Sequence, residues 1–346
     1  MKNIPAVRSL HIKNLFGEHD LDIDFKNLTV IVGKNGMGKT TILKIINGLI
    51  TDSEHINYSK VCDSIELNFN DGNSIFYGFW NERMIESANS KLLNEYDSGK
   101  HPVPDKLEKI IDELDLKDGA DREKLLKTLI STMIRTEEFK KFAVKHYNKE
   151  LKNKGKTIFV TDDSVISLKN EMQVRYISTV NISANAGTKI DFGNSIEKNL
   201  LDLAIYDEIR ILLREKDKKV QALFLNEINK FLCESGKRAK FDHGECAFYS
   251  DANNRFHLGE LSSGERQLVY ILATAANTVG LPALFLMDEP EVSLHLSWQE
   301  KIIDAIMRIN PLMQIIAVTH SPGIIMNGHM DAYVEMKDIL KGTENV

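Results

Sequence analysis

The chain has 346 residues, 42% of them hydrophobic and 27% charged, and a formal net charge of -6. That length and composition fit a globular chain holding one large α/β domain with insertions, or two ordinary ones. The negative balance excludes a wholly basic nucleic-acid coat and confines any such binding to a local patch.

The N-terminus, MKNIPAVRSLHIKNLF, carries no apolar run of signal-peptide length. Val7, Leu10 and Ile12 form a short apolar run, 14–20 is turn-rich, and Leu21 to Phe25 alternates with period two. This predicts a small antiparallel edge. Leu28 to Val32 is β-branched and uninterrupted, as a strand buried on both faces should be. The stretch GKNGMGKTT from Gly33 to Thr41 follows, and 41–48 has helical spacing. Gly33, Gly38, Lys39 and Thr40 fit G-x-x-x-x-G-K-[ST] in the strand, loop, helix order that a phosphate cradle requires. Gly33, Gly36 and Gly38 let the backbone curl so that N–H groups point at phosphate oxygens, with Asn35 and Thr41 in the same cradle. Lys39 is expected to reach the β- and γ-phosphates of ATP, and the Thr40 hydroxyl to sit on Mg²⁺.

Ser64 to Phe69 alternates, 70–73 is a turn, and Ile75 to Trp80 returns as the second arm of a hairpin. From 81 to 156 the chain becomes charged and helical. Leu107, Ile110, Ile111 and Leu114 share one face, as do Leu125, Leu126, Leu129, Ile130, Met133 and Ile134 on the next helix. No heptad persists, which excludes a long coiled coil. Strands are expected at 157–160 and 173–178, and helices at 196–213 and 220–232. Cys246 to Tyr249 and Arg255 to Leu258 read as another hairpin. Two basic clusters, Lys149, Lys152, Lys154 and Lys156 in a loop, and Lys237, Arg238 and Lys240 after Gly236, are either solvated turns or contacts to a nucleic-acid backbone. The expected organisation is therefore 1–80, an N-terminal lobe; 81–156, a helical insertion; 157–240, strands and a second helical block; and 241–346, a C-terminal lobe.

Three further motifs follow. Ser262 and Ser263 stand at the N-cap of a helix running through Ala276, with Gly264 opening its first turn. This is either an ordinary cap or an anion site. Ala283 to Met287 is a buried strand ending in Asp288 and Glu289. Asp288 can share Mg²⁺ with Thr40, and Glu289 can polarise an attacking water. Gln314 to Thr319 is another buried strand, with His320 just past it, placed for the γ-phosphate or the water. The uncharged stretch from Leu268 to Met287 approaches membrane-spanning length, but Asn277, Gly280 and Pro282 split it into helix, turn and strand. Cys62, Cys233 and Cys246 lie far apart with no C-x-x-C pair, so a disulfide framework or zinc site is not expected and a reducing cytoplasm is.

As a set, the Walker A loop at Gly33 to Thr40, the signature LSSGERQ at Leu261 to Gln267, the Walker B strand at Leu284 to Glu289 and the switch His320 resemble an ABC-type ATPase head. The spelling of the signature and of DEPEVSLHLSWQ at 288–299 is similar to the RecF/SMC-like and overcoming-lysogenisation-defect (OLD) branch of AAA ATPases. The expected fold is α/β: a P-loop NTPase with an ABC-ATPase-like head, a mixed β-sheet, an antiparallel β edge and helical insertions. His295 stands where transporter heads usually carry Asp, and Gln173 is a poor match to their glutamine loop. Too few residues follow His320 for the Toprim nuclease domain of OLD proteins. The resemblance implies an ATP- and Mg²⁺-dependent homodimer in which the signature helix start of one subunit closes on the nucleotide of the other.

That resemblance implies a regulatory ATPase acting on a separately encoded effector, a nuclease, in bacterial anti-phage defence. A RecF-like repair ATPase using the basic clusters on DNA, a transporter ATPase subunit, and a scaffold that binds ATP without turnover are the alternatives.

Overall fold

The computed structural model describes residues 6–51, 56–79, 128, 157–160, 172–178, 189–191 and 197–342. The helical insertion expected at 81–156, Thr128 apart, lies outside the described residues, and so do Lys149, Lys152, Lys154 and Lys156. In chain order the elements are β1 (Val7–Leu15), β2 (His19–Asp24), β3 (Leu28–Val32), α1 (Lys39–Thr51), α2 (Tyr58–Val61), β4 (Ser64–Phe69), β5 (Ser74–Gly78), β6 (Thr157–Val160), β7 (Gln173–Ile177), β8 (Lys189–Asp191) and β9 (Glu197–Asn199). They continue with α3 (Leu200–Glu215), α4 (Lys218–Leu232), β10 (Lys237–Asp242), β11 (Glu245–Ser250), β12 (Arg255–Phe256), α5 (Ser263–Asn277), β13 (Ala283–Asp288), α6 (Leu296–Ile309), β14 (Met313–Thr319), β15 (Tyr333–Glu335) and α7 (Met336–Ile339).

The chain forms two compact units that interleave along the sequence. One comprises Met1–Ser9, Asp22–Asn57 and Leu168–Gly342; the other comprises Leu10–Leu21, Tyr58–Ser167 and Thr343–Val346. The segment 1–80 is thus shared between them.

The first unit is built on a five-stranded sheet in the order β15-β3-β14-β13-β7, parallel throughout. Every residue of β13 and β14 is buried, as the unbroken apolar runs require when both faces are covered. Alternate side chains divide between the faces. Val30, Phe285, Met287, Ile315 and Ala317 join Leu268, Ile271 and Leu272 of α5, Ile302 and Ile306 of α6, and Phe224 and Phe231 of α4 in one core. The intervening residues Ile31, Leu284, Leu286, Ile316 and Val318 are also buried, on the side where α1 packs against β13 and β14. Ile42, Ile45, Ile46 and Leu49 line the buried face of α1, and their i, i+3, i+4, i+7 spacing is what makes this segment an amphipathic helix. The uncharged stretch from Leu268 to Met287 is α5, a turn and β13. Among the described residues no helix is long and apolar enough to cross a membrane.

Some elements differ from the sequence expectation. The helix expected from Ile196 begins at Leu200, because Asn199 is extended and its side chain accepts from the Leu201 N–H, a capping geometry that fixes the helix start. The cluster at 237–240, read as a solvated turn or a nucleic-acid contact, lies on strand β10, paired antiparallel with β11. Gly236, at φ +65, closes the turn after α4, and the strand starts at the next residue.

Among the described residues of the second unit, β4 pairs antiparallel with β5, and β5 with β6. Ile65, Leu67 and Phe69 are buried with period two. The turn between β4 and β5 closes with Gly72, at φ +90, and the Asp71 side chain accepts from the Asn73 N–H.

One side chain fastens the start of the chain to the first unit. Gln314, at the N-terminal end of β14, accepts from the Val7 N–H at 2.8 Å and donates to the Val7 carbonyl at 2.7 Å. Its amide imitates a neighbouring strand residue. Gln314→Ala leaves both backbone groups without these partners, so unfolding free energy should fall by about 2–4 kcal/mol, measured by denaturant titration.

Candidate active site

The C-terminal ends of three parallel strands define the site. Val32 is in register with Thr319, and Val318 with Asp288. The segments leaving β3, β14 and β13 therefore emerge side by side, where ligand crevices of open α/β sheets lie. Gln173 falls at the other end, in register with Ala283, which removes it from this crevice.

The loop after β3 bends through Gly36 and Gly38, at φ +82 and +92, conformations that favour glycine. Gly33 is needed for a different reason. A Cβ there would lie 2.6 Å from the Met336 Cβ, so its role is close packing against α7. Asn35 and Gly36 are exposed, and Thr41 is half-buried in the first turn of α1. Lys39, buried at the start of α1, donates from Nζ to the carbonyls of Gly33 at 2.7 Å and Lys34 at 3.0 Å. Its Nζ also lies 3.0 Å from His320 Nε2. Burial pulls the Lys39 pKa down, while Glu289, Asp288 and Glu291 act in the opposite sense. The loop is thus wrapped around its own cation.

Thr40 Oγ1 donates to Asp288 Oδ1 at 2.9 Å, and Tyr176 Oη, from β7, lies 3.4 Å from Asp288 Oδ2. Burial, with the neighbouring Glu289 charge adding to it, raises the Asp288 pKa. A hydroxyl and one carboxylate as adjacent hard oxygen donors suit Mg²⁺, which takes one or two protein ligands and completes its shell with phosphate and water. Glu289 sits at φ +49, its N–H donating to the Val318 carbonyl at 2.8 Å. Its Oε1 is 3.0 Å from the same His320 Nε2 that faces Lys39. Glu291, two residues on, is buried, and its Oε1 accepts from the Thr319 hydroxyl and from the backbone N–H groups of His320 and Ser321.

The start of α5 is tightly built. The Ser262 hydroxyl accepts from the Glu265 N–H, and the Glu265 carboxylate accepts from the Ser262 N–H, a reciprocal capping box. The Ser262 hydroxyl, read as either a cap or part of an anion site, is engaged in the cap, whereas Ser263 has no such role. Gly264 is buried, and a Cβ on it would meet the Ser293 carbonyl at 2.5 Å. Its place in the sequence reflects packing of α5 against the turn after β13. Gln267 donates to the Pro290 carbonyl in that same turn.

A family model, described as the AAA ATPase domain, matches residues 6–325. The chain belongs to the AAA ATPase domain family. It is 25% identical over 335 residues to the Septu protein PtuA of Bacillus thuringiensis, an alignment covering 92% of this chain and 73% of PtuA. Among solved structures it is similar to the SMC head domain from Thermotoga maritima, with 14% identity, a TM-score of 0.44 and coverage of 93% and 91% of the two chains. It is also similar to the SmcHead bound to the C-winged helix domain of ScpA, with 11% identity, a TM-score of 0.46 and coverage of 93% and 92%.

In this AAA ATPase the second basic cluster is not one surface. Successive strand residues face opposite ways. Lys237 turns inward and pairs with the buried Glu265 carboxylate at 2.9 Å. Arg238 and Lys240 turn outward; Arg238 donates to Asn253 at 2.9 Å, and the Lys240 ammonium lies 5.7 Å from the centre of the Tyr249 ring. Tyr176 and Glu291 belong to the site although motif reading does not single them out. Its place as the third carboxylate of the Asp288-Glu-Pro-Glu291 string is the one local signal for Glu291.

The contact at Gly264 is directly testable. Gly264→Ala pushes a methyl group against a backbone carbonyl, so the protein should lose about 1–3 kcal/mol, seen as a lowered thermal midpoint. An unchanged midpoint would contradict the close approach of α5 and the turn.

Proposed function

We propose that this AAA ATPase binds ATP with Mg²⁺, closes as a nucleotide-sandwich homodimer and reopens on hydrolysis. The observation that carries the reading is the convergence at one sheet edge of the Thr40–Asp288 pair at 2.9 Å and the Glu289–His320 pair at 3.0 Å. In the proposed division of labour, Gly33, Asn35, Gly36, Gly38 and Thr41 surround the phosphates and Lys39 balances their charge. Thr40 and Asp288 would hold Mg²⁺, which neutralises charge on the β- and γ-phosphates when bound. Glu289 takes the proton of the attacking water, and His320 orients Glu289 and the γ-phosphate side of the site.

Self-association is supported by apolar exposure beside the signature. Val292 and Leu296 are 39% and 56% exposed on the turn and helix start that follow Asp288 and Glu289, an arrangement that suits a partner surface. Ser262, Ser263 and Gly264 would then present the α5 start to the second subunit's nucleotide. The OLD-like spelling of 261–267 and 288–299 supports a regulatory role over a separate effector, a nuclease, in anti-phage defence, which is a family-level analogy.

Two variants test the enzymology. Lys39→Ala should reduce ATP turnover to background in a phosphate-release assay. Glu289→Gln should lower kcat by about 10²–10⁴-fold and hold a dimer by light scattering with ATP and Mg²⁺; a monomer under those conditions overturns the sandwich. For the biological role, cells carrying the chain with its neighbouring genes should restrict phage plating, and Lys39→Ala should abolish the protection. Equal plating with both would remove the defence reading while leaving the ATPase reading intact.

A further inference from the structure

The turn between β13 and α6 is held in an unusual shape. Two of its non-glycine residues, Glu289 and Ser293, lie in the left-handed region at φ +49 and +72. Such residues persist only where their surroundings over-determine them. Glu291, midway between them, supplies much of that determination. Its Oε1 gathers three donors from the segment after β14: the Thr319 hydroxyl, the His320 N–H at 3.1 Å and the Ser321 N–H at 3.2 Å. Its Oε2 is buried with no hydrogen-bond partner. A side chain of α6 closes the loop: the Gln299 amide donates to the Leu294 carbonyl at 3.0 Å and accepts from the Ser321 hydroxyl at 2.9 Å.

A carboxylate so placed does little for packing that an apolar residue would not do as well, since removing it from water raises its pKa through burial. What it does is join two segments. Glu289 meets the His320 ring at 3.0 Å from one side, and Glu291 grips the His320 backbone from the other. The two carboxylates, two residues apart, hold one histidine at both ends.

We propose that Glu291 is the positioning residue of this site: by binding the backbone of 319–321 it fixes the His320 ring against Glu289, so that the two move as one body. The inference rests on the reading that Glu289 and His320 serve ATP hydrolysis. A misplacement of about 1 Å in such a pair costs on the order of 10²-fold in rate, without requiring any change in how the loop at 33–41 holds nucleotide.

The test uses the full chain and a double-mutant cycle. Glu291→Gln should lower kcat by about 10–100-fold and leave KM and equilibrium ADP binding within about 3-fold. In a His320→Ala background the same substitution should change kcat by less than about 2-fold, because a residue acting through His320 has nothing left to act on. Wild-type kcat in Glu291→Gln, or an undiminished loss in the His320→Ala background, overturns the proposal. Should Glu291→Gln fail to fold, Thr319→Val removes a hydroxyl donor to the same oxygen and is read in the same cycle. The His320 imidazole ¹⁵N resonances give a measure that does not depend on turnover. They should shift in Glu291→Gln, and unmoved resonances overturn the proposal. Absence of turnover in the wild-type chain would overturn the ATPase reading instead.

Discussion

Three parallel strands that end level are the constraint on which the rest depends. Because Val32 pairs with Thr319 and Val318 with Asp288, three segments far apart in sequence leave the sheet at one edge. Burial on both faces fixes that register: a slip by one residue would exchange the Phe285, Met287 face with the Leu284, Leu286 face and disrupt both cores. The chemistry needs nothing more elaborate than this. A lysine starting a helix, a carboxylate closing one strand and a histidine following another arrive together because hydrophobic packing aligns the strands that carry them.

The turn after β13 is where that alignment meets the rest of the unit. It receives Gln267 and Gly264 from α5, Gln299 from α6 and the segment after β14. Three carboxylates within four residues would ordinarily repel. Here each has its own partners: Asp288 takes hydroxyls, Glu289 an imidazole, and Glu291 a hydroxyl and backbone amides. Burial disfavours the ionised forms of Asp288 and Glu291, and these donors counter only part of it. Glu265 is a fourth such case, with Lys237 and the Ser262 N–H as its donors.

What is legible in the sequence is whatever is local. The β-branched run of β3, the unbroken apolar runs of β13 and β14, and the helical period of α1 and α5 each carry their signal within a few residues, so residue pattern alone places Lys39 and Thr40 at a helix start and Asp288, Glu289 and His320 at or just beyond strand ends. Long-range partners leave no such mark. Lys237 reads as one of a basic cluster because its sequence neighbours are basic, yet strand alternation separates it from Arg238 and Lys240 and points it at a glutamate from another element. Ser262 reads as either a cap or an anion ligand until Glu265 is seen to complete the cap. Gly33 and Gly264 read as conformational glycines, but each is required because another residue, Met336 or Ser293, lies against it. Tyr176 and Glu291 acquire meaning only through Asp288 and the 319–321 segment.

One nitrogen faces two opposite neighbours. His320 Nε2 lies 3.0 Å from the Lys39 ammonium and 3.0 Å from the Glu289 carboxylate. Toward the first it can only offer a lone pair, and toward the second only a proton, so it serves one of them at a time. Were Lys39 drawn toward a phosphate, as proposed, that nitrogen would be free to donate to the glutamate. The arrangement is an exclusive choice written in a single hydrogen.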